Sequence, residues 1–183
     1  MPGMVAEATA VLGSDARFRI RQMDAQKLNL PNDSFDTVIA NHMLYHIQDR
    51  PRALAEMRRV LVPGGRLIAA TNSQSHLREI WTLVDECRGE GSPINGALPF
   101  SLENGEEQLR PCFANVFIHP VRGALQITEA EAVEQYVLSL GEAKQTIVGH
   151  RLDQLRRRVQ DVISSAGAFV AHTHSGLFIG RKV

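Results

Sequence analysis

Charge of one sign, long apolar runs and paired cysteines are all missing from this chain. Lys and Arg together number 20, as do Asp and Glu, so the formal net charge is zero. A balanced chain has no electrostatic footprint for nucleic acid or for an anionic membrane surface, and neither is expected as a partner. No apolar run reaches the length of a membrane span, and the first residues lack the charged and apolar regions of a signal peptide. The two cysteines, Cys87 and Cys112, lie far apart without metal-type spacing. They read as reduced thiols in a cytoplasmic protein, and no metal site is expected. There is no dinucleotide-binding glycine fingerprint, no internal repeat and no low-complexity tract.

What is present suits one folded domain over residues 1–183, with 44% apolar and 22% charged residues. Residues 2–12 read as a helix, with Pro2 in a first turn where its missing N–H has no partner to lose. Residues 18–23, Phe-Arg-Ile-Arg-Gln-Met, alternate apolar and polar and read as a half-buried strand. Asp33-Ser34 marks a turn, and residues 35–40 read as a short, central buried strand. Pro51 opens a helix whose Leu54, Met57, Val60 and Leu61 keep helical spacing. Pro63-Gly64 has the form of a type II turn, and residues 66–71 read as the next strand. Strand, helix and strand make a βαβ unit, which implies parallel pairing and a right-handed crossover.

Further on, residues 75–88 read as a helix, 89–99 as a Gly/Pro/Ser/Asn-rich loop and 104–110 as a short helix. Residues 116–118 and 124–127 read as two strands. Thr128, with Glu131 three residues on, has the form of a capping box opening a helix to about Leu140. A second amphipathic helix covers residues 150–165, and residues 168–182 close on a strand around Gly176-Leu177-Phe178-Ile179.

Several pieces, in order, carry a resemblance. They are Pro2-Gly3-Met4, Asp24-Ala25, Leu30-Pro31, Ser34-Phe35-Asp36, Leu44-Tyr45-His46, then Arg59-Val60-Leu61-Val62-Pro63-Gly64-Gly65, and the closing Gly-Leu-Phe-Ile-Gly-Arg-Lys. Together they resemble the class I S-adenosylmethionine-dependent methyltransferases, specifically the small-molecule type 11 branch. Val62 stands where that branch has a lysine. The resemblance is strongest over residues 24–66 and weakest over 89–165.

The resemblance implies a Rossmann-like α/β sheet, parallel with an antiparallel last strand; the two amphipathic helices that precede that strand are expected to form a helical cap, residues 128–166, over the carboxyl ends of the strands, with Tyr45 and His46 facing the gap below it. The resemblance also implies S-adenosyl-L-methionine as cofactor and a small-molecule methyl acceptor. Asp24 would accept from the adenine amino group, with Ala25 and Gln26 beside it. Asn41 and His42 would offer carbonyls to the methionine ammonium, with Met43 and Leu44 as apolar walls. His46 is the candidate catalytic residue, because an imidazole titrates near neutrality and can take the acceptor's proton. Each has a plainer alternative. Asp24 can cap the turn at Gln26-Lys27-Leu28, Asn41 can make an Asx turn, and His46 can brace the next helix. His172 and His174 alternate on a strand and read as exposed side chains. Arg156-Arg157-Arg158 reads as a solvated helix face.

The family's glycine-rich turn and its ribose-binding acid precede the Pro-Gly-Met position and are not among these 183 residues. The chain therefore reads as N-terminally truncated, with weak cofactor binding expected. The strands absent from it would lie between residues 18–23 and 35–40. An unpaired edge, and with it a homodimer or strand-exchanged oligomer, is expected. Two other readings stand beside the enzyme. One is a non-catalytic methyltransferase-like remnant acting as a dimeric or partner-binding module. The other is a nicotinamide-dependent oxidoreductase, which the missing fingerprint disfavours.

Overall fold

Asp49 and Pro51 start the helix that organises the first half of the chain. The Asp49 carboxylate accepts from the Arg52 N–H at 3.1 Å, and Pro51 occupies the first turn. This helix, Arg50–Val60, is flanked by strands at Phe35–Asn41 and Leu61–Asn72. Its C-terminal carbonyls do not go unpaired. Asp33 N–H donates to Arg59 O at 3.1 Å and Ser34 N–H to Val60 O at 2.8 Å, so the turn that launches the first strand also caps the helix.

In this computed structural model, which describes residues 2–89 and 97–183, the elements run in the following order. Helix α1 is Pro2–Leu12 and strand β1 is Phe35–Asn41. A 3-10 turn at Leu44–His46 leads to α2 (Arg50–Val60) and β2 (Leu61–Asn72). Then come α3 (Arg78–Arg88), α4 (Gly105–Leu109), β3 (Ala114–Ile127), α5 (Ala130–Ser139), α6 (Gly141–Thr146), α7 (His150–Ala166) and β4 (Phe169–Arg181). The sheet order is β1-β2-β4-β3. β1 and β2 are parallel, as the βαβ pattern requires, and β4 is antiparallel to both β2 and β3. The sheet is mixed α/β of the Rossmann-like kind expected, with its one parallel pair at the start and its last strand antiparallel.

Several local readings change. Residues 18–23 form no strand, and Phe18 and Met23 are exposed. Strand order explains this, because a strand needs a neighbour's hydrogen bonds and β1 is not adjacent to that segment. For the same reason β1 is an edge strand rather than a central one. The two strands read at 116–118 and 124–127 are one continuous β3. Pro120 and Gly123 suggest a break, yet β3 is an edge strand, where a missing N–H costs no ladder bond. Opposite Pro120 stands Gly176, where a Cβ would lie 2.7 Å from His119 O. Helix α3 begins at Arg78 rather than residue 75, after Leu77 in a left-handed conformation with φ 54°. The capping box at Thr128 does not form, and α5 starts from Glu129 without a side-chain cap. Residues 90–96 of the loop read at 89–99 lie outside the described residues.

Gly64 has φ +79°, the positive value that the Pro-Gly turn requires. Its N–H donates to Lys182 O at 2.8 Å, and Lys182 N–H donates to Gly65 O at 2.9 Å. The turn thus ties the start of β2 to the end of β4.

Two cores result. One lies under α2 and α4 and contains Ala40, Leu44, Leu54, Leu67, Phe100 and Phe178. The Phe100 and Phe178 rings meet edge to face at 5.8 Å. The second lies where β4 runs beyond Asn72, the last β2 residue. There β4 keeps only β3 as partner, and α3, α5, α6 and α7 pack over Phe169 and Ala171. On the opposite sheet face the edge strands are exposed and the central strands half-buried among the described residues. Ile39, Ile68, Ile179 and Phe117 stand in register across all four strands. Ile39 is 69% and Phe117 61% exposed. No described residue of α1 is buried.

Phe178→Ala is expected to lower stability by about 3–5 kcal/mol, because it removes a wholly buried ring from a packed core. Ile39→Ala, at the exposed edge of the opposite face, is expected to change it by less than about 0.5 kcal/mol. Urea unfolding measures both, and equal losses would mean that this edge is covered.

Candidate active site at the carboxyl end of β1 and β2

Ligands of open α/β sheets bind beyond the carboxyl ends of the strands. β1 ends at Asn41, and His42 follows in a left-handed conformation with φ 48°. A non-glycine residue there costs of order 1–3 kcal/mol, and such strain clusters at ligand clamps. His42 N–H still donates to Ala70 O at 3.1 Å, so the chain turns away immediately after its last contact with β2.

Beside this turn runs the loop of residues 24–32, which a single arginine fixes. Arg59 Nε and Nη2 donate to the Glu56 carboxylate at 2.7 and 2.9 Å, Nη1 to Leu30 O and Asn32 Oδ1 at 2.8 and 2.7 Å, and Nη2 also to Leu28 O at 2.8 Å. Every N–H of the guanidinium has an acceptor, a fork that lysine cannot reproduce. Glu56 also accepts from Leu28 N–H at 2.8 Å. The hydrogen bonds from Arg59 hold the Glu56 carboxyl down at about 2, against an ordinary 4.5.

The candidate residues divide between this loop and the turn after β1. Asp24 is exposed, and its Oδ1 accepts from Gln26 N–H at 2.9 Å and Gln26 Nε2 at 3.3 Å. Those two bonds, from the backbone first, lower its pKa. It does cap its own turn, and Oδ2 has no hydrogen-bond partner among the described residues. Gln26 Oε1 accepts from Asp49 N–H at 3.0 Å, which pins the loop to the start of α2. Ala25 and Met43 line one apolar cleft of about 240 Å³ with Leu28, Val38 and Met57. Asn41 and His42 are exposed at the strand end. The Leu44 side chain turns inward and is wholly buried, so only its backbone is available to a ligand. The His46 ring is exposed and meets Tyr45 edge to face at 4.5 Å.

A second cavity of about 230 Å³ lies on the other side of the turn, under the helices that follow β3. Tyr45, Trp81, Tyr136 and Leu140 wall it, with Asn72, Ser73 and His76 supplying polar groups. Tyr45 therefore faces the gap under those helices, and His46 is not among its lining residues. Burial raises the pKa of the Tyr45 and Tyr136 hydroxyls and keeps both protonated. Burial also lowers that of His76, and the neighbouring His42 and His174 add to this. His76 Nδ1 accepts from His174 N–H at 3.1 Å, so its neutral ring carries the proton on Nε2. Asn72, Ser73 and His76 were not among the residues the sequence pointed to. A signal was available, because Thr-Asn-Ser-Gln-Ser-His follows the carboxyl end of an identifiable strand.

His172 Nδ1 pairs with Glu79 at 2.6 Å, and His174 Nδ1 with Ser75 Oγ at 2.7 Å. Arg156 holds the buried Glu134 through two bonds of 2.8 Å, so it is not simply a solvated side chain. Among the described residues no three metal-ligating side chains converge. No described helix is long and apolar enough to cross a membrane.

One end of an adenosyl cofactor matches this geometry. The cleft lined by Ala25 and Met43 has the apolar walls that a flat base needs, and Asp24, next to Ala25 in the chain, has an Oδ2 with no hydrogen-bond partner among the described residues. The adenine end fits. The ribose end has no carboxylate that the cleft contains.

A family model described as a methyltransferase domain matches residues 1–69. The ubiquinone/menaquinone biosynthesis C-methyltransferase UbiE of Methylococcus capsulatus is 33% identical over 99 residues, 54% of this chain and 39% of that protein. UbiE of Vibrio parahaemolyticus is 30% identical over 124 residues, 66% of this chain and 47% of that protein. The chain spans less than half the length of these two relatives. The crystal structure of a putative methyltransferase from Bacillus halodurans superposes with a TM-score of 0.62 at 14% identity, covering 100% of this chain and 80% of that one.

The pH dependence of the loop follows from Glu56. A carboxyl lowered in the folded state contributes stability that is present above its ordinary pKa and is lost as pH falls through the folded value. The contribution is thus expected whole above about pH 4.5 and gone near 2. Glu56→Gln is expected to remove this acid limb and to speed amide exchange at Leu28. Parallel acid unfolding of both proteins between those values would overturn the assignment.

Proposed function

We propose that the chain is a class I S-adenosylmethionine-dependent methyltransferase that transfers a methyl group to a small molecule, a reading that the methyltransferase-domain match and the UbiE relatives support. The observation that carries this is the pair of cavities either side of one turn. Met43 lines the apolar cleft and Tyr45 the aromatic one, so two ligands can approach each other across residues 41–46. The cofactor of the family supplies an electrophilic methyl group. Methyl transfer then needs chiefly the positioning of the acceptor atom.

Asp24 Oδ2 receives the adenine amino group, and Ala25 and Met43 sandwich the ring. Gln26 braces the loop through Asp49. Asn41, His42 and the Leu44 backbone receive the methionine end. The helices of residues 128–166 cover the acceptor. His46 lies on the same turn but outside the lining of the aromatic cavity, and it takes the acceptor's proton where the acceptor reaches the exposed end of the turn; His76, with its Nδ1 engaged, offers only a donor. UbiE is named for C-methylation in quinone biosynthesis, and an acceptor with a ring suits the aromatic lining here.

Calorimetry with S-adenosylhomocysteine is expected to show saturable binding, unchanged by His46→Ala, while that variant loses transfer of labelled methyl. Unchanged transfer would make His46 structural.

The open β1 edge and the apolar row Ile39-Ile68-Ile179-Phe117 further support a homodimer through this face. Unpaired strand edges and contiguous apolar patches recruit other chains. Light scattering is expected to show a dimer that Ile39→Lys dissociates without lowering the midpoint of thermal unfolding. A monodisperse monomer at all concentrations would overturn it.

A further inference from the structure

β4 runs on past the end of β2, and the edge it leaves open is taken by a turn rather than a strand. Residues 73–77 follow β2 and lie along that edge. Ser73 N–H donates to His174 O at 2.9 Å, and Leu77 N–H to His172 O at 2.8 Å. Between these two bonds the direction reverses. His174 N–H donates at 3.1 Å to Nδ1 of the His76 ring, which stands where a neighbouring strand would offer a carbonyl. A carbonyl does not titrate near neutrality, and an imidazole does.

Three histidines lie on this seam, and protonation acts on them differently. His172 Nδ1 pairs with the Glu79 carboxylate at 2.6 Å, a contact that a positive charge strengthens. His174 Nδ1 meets Ser75 Oγ at 2.7 Å. A hydroxyl accepts as well as donates, so that bond survives protonation. Only His76 loses its bond, because a proton on Nδ1 would face the His174 N–H, donor against donor. Among the described residues no carboxylate pairs with His76. Glu79 is held by His172, and Glu103 by Ser73 Oγ at 2.5 Å and Gln74 N–H at 3.0 Å. His42, in the turn after β1, and His174, on β4, oppose a charge on His76. Tyr45 and Tyr136, on the same cavity, are neutral.

The turn is also joined to the cavity wall. It ends on the left-handed Leu77, φ 54°, a conformation that persists only while its surroundings hold it. Trp81 N–H donates to Leu77 O at 3.3 Å, so a movement of the turn carries the start of α3 with it. Both His76 and Trp81 line the aromatic cavity.

We infer that residues 73–77 are a pH-operated latch on the aromatic cavity: neutral His76 hooks the turn to the His174 N–H and holds the wall in place, and protonated His76 releases the turn from β4. Burial favours the neutral ring, so the latch is shut above the ordinary value of 6.5 and opens as pH falls below it. As regulation this rests on reading the cavity as the acceptor site, but the latch itself needs no ligand.

Trp81 is the one tryptophan in the chain. Acidifying the unaltered chain without cofactor, from about pH 7.5 to about 5, is expected to move its emission to longer wavelength with a midpoint below 6.5. His76→Asn keeps an acceptor oxygen and has nothing to protonate, so its emission is expected to stay constant. His42→Asn, which suits the left-handed position, is expected to keep the transition. A transition that persists in His76→Asn, or none in the unaltered chain, would overturn the latch. Amide exchange of the unaltered chain decides the matter even where the variant fails to fold. Protection of the His174 N–H is expected to fall about tenfold over the same range, as one hydrogen bond is lost, while the β2–β4 ladder keeps its protection. Unchanged protection at His174, or an equal loss through the ladder, would also overturn it. Failure here would leave methyl transfer standing, because neither cofactor nor acceptor takes part in the measurement.

Discussion

The arrangement depends on one strand being longer than its neighbour. β4 pairs with β2 only from Ser175 to Arg181, yet it continues back to Phe169 with β3 alongside. Its second half places Phe178 in the core beneath α2 and α4, and its first half places Phe169 and Ala171 in the core beneath α3, α5 and α7. The overhang carries the helices past the end of β2 and roofs a space there. Without it Asn72 and Tyr45 would face solvent, and no second cavity would exist.

The other constraint is the left-handed backbone at His42 and Leu77. His42 turns the chain off the end of β1, and Leu77 turns it into α3 while its N–H donates to His172 O at 2.8 Å. One positions Met43 and Tyr45 on opposite sides of a turn. The other sets His76 beside His174. Both conformations are unfavourable locally and are held by the strands they leave, so the shape of the site depends on the sheet being formed.

Much of this was legible in the sequence because it is local. Asp49-Arg50-Pro51 starts α2, Pro63-Gly64 turns, and Phe35 to Ala40 pairs parallel to β2. Each depends on residues a few positions apart. The misreadings have a shared cause in strand order. Residues 18–23 have a strand's alternation but no neighbour, and Pro120 looks like a break until β3 is known to be an edge. The aromatic cavity was invisible for another reason. Tyr45, Asn72, Trp81 and Tyr136 belong to four separate elements, and no spacing links them. The loop of residues 24–32 was legible in its acidic-small dipeptide, but the Arg59 fork that holds it joins residues some thirty positions apart.

The position of β4 in the chain has a consequence for how the molecule is made. The strand that both cores require runs from residue 169 to 181, so it leaves the ribosome after every other described element. Until it arrives β2 lacks a partner on one side, β3 has none, and α5 and α7 have no sheet to cover. The contacts that close the fold, such as Gly64 with Lys182, span more than a hundred residues. Non-local pairings of this kind slow folding, because loop closure must precede any gain from contact.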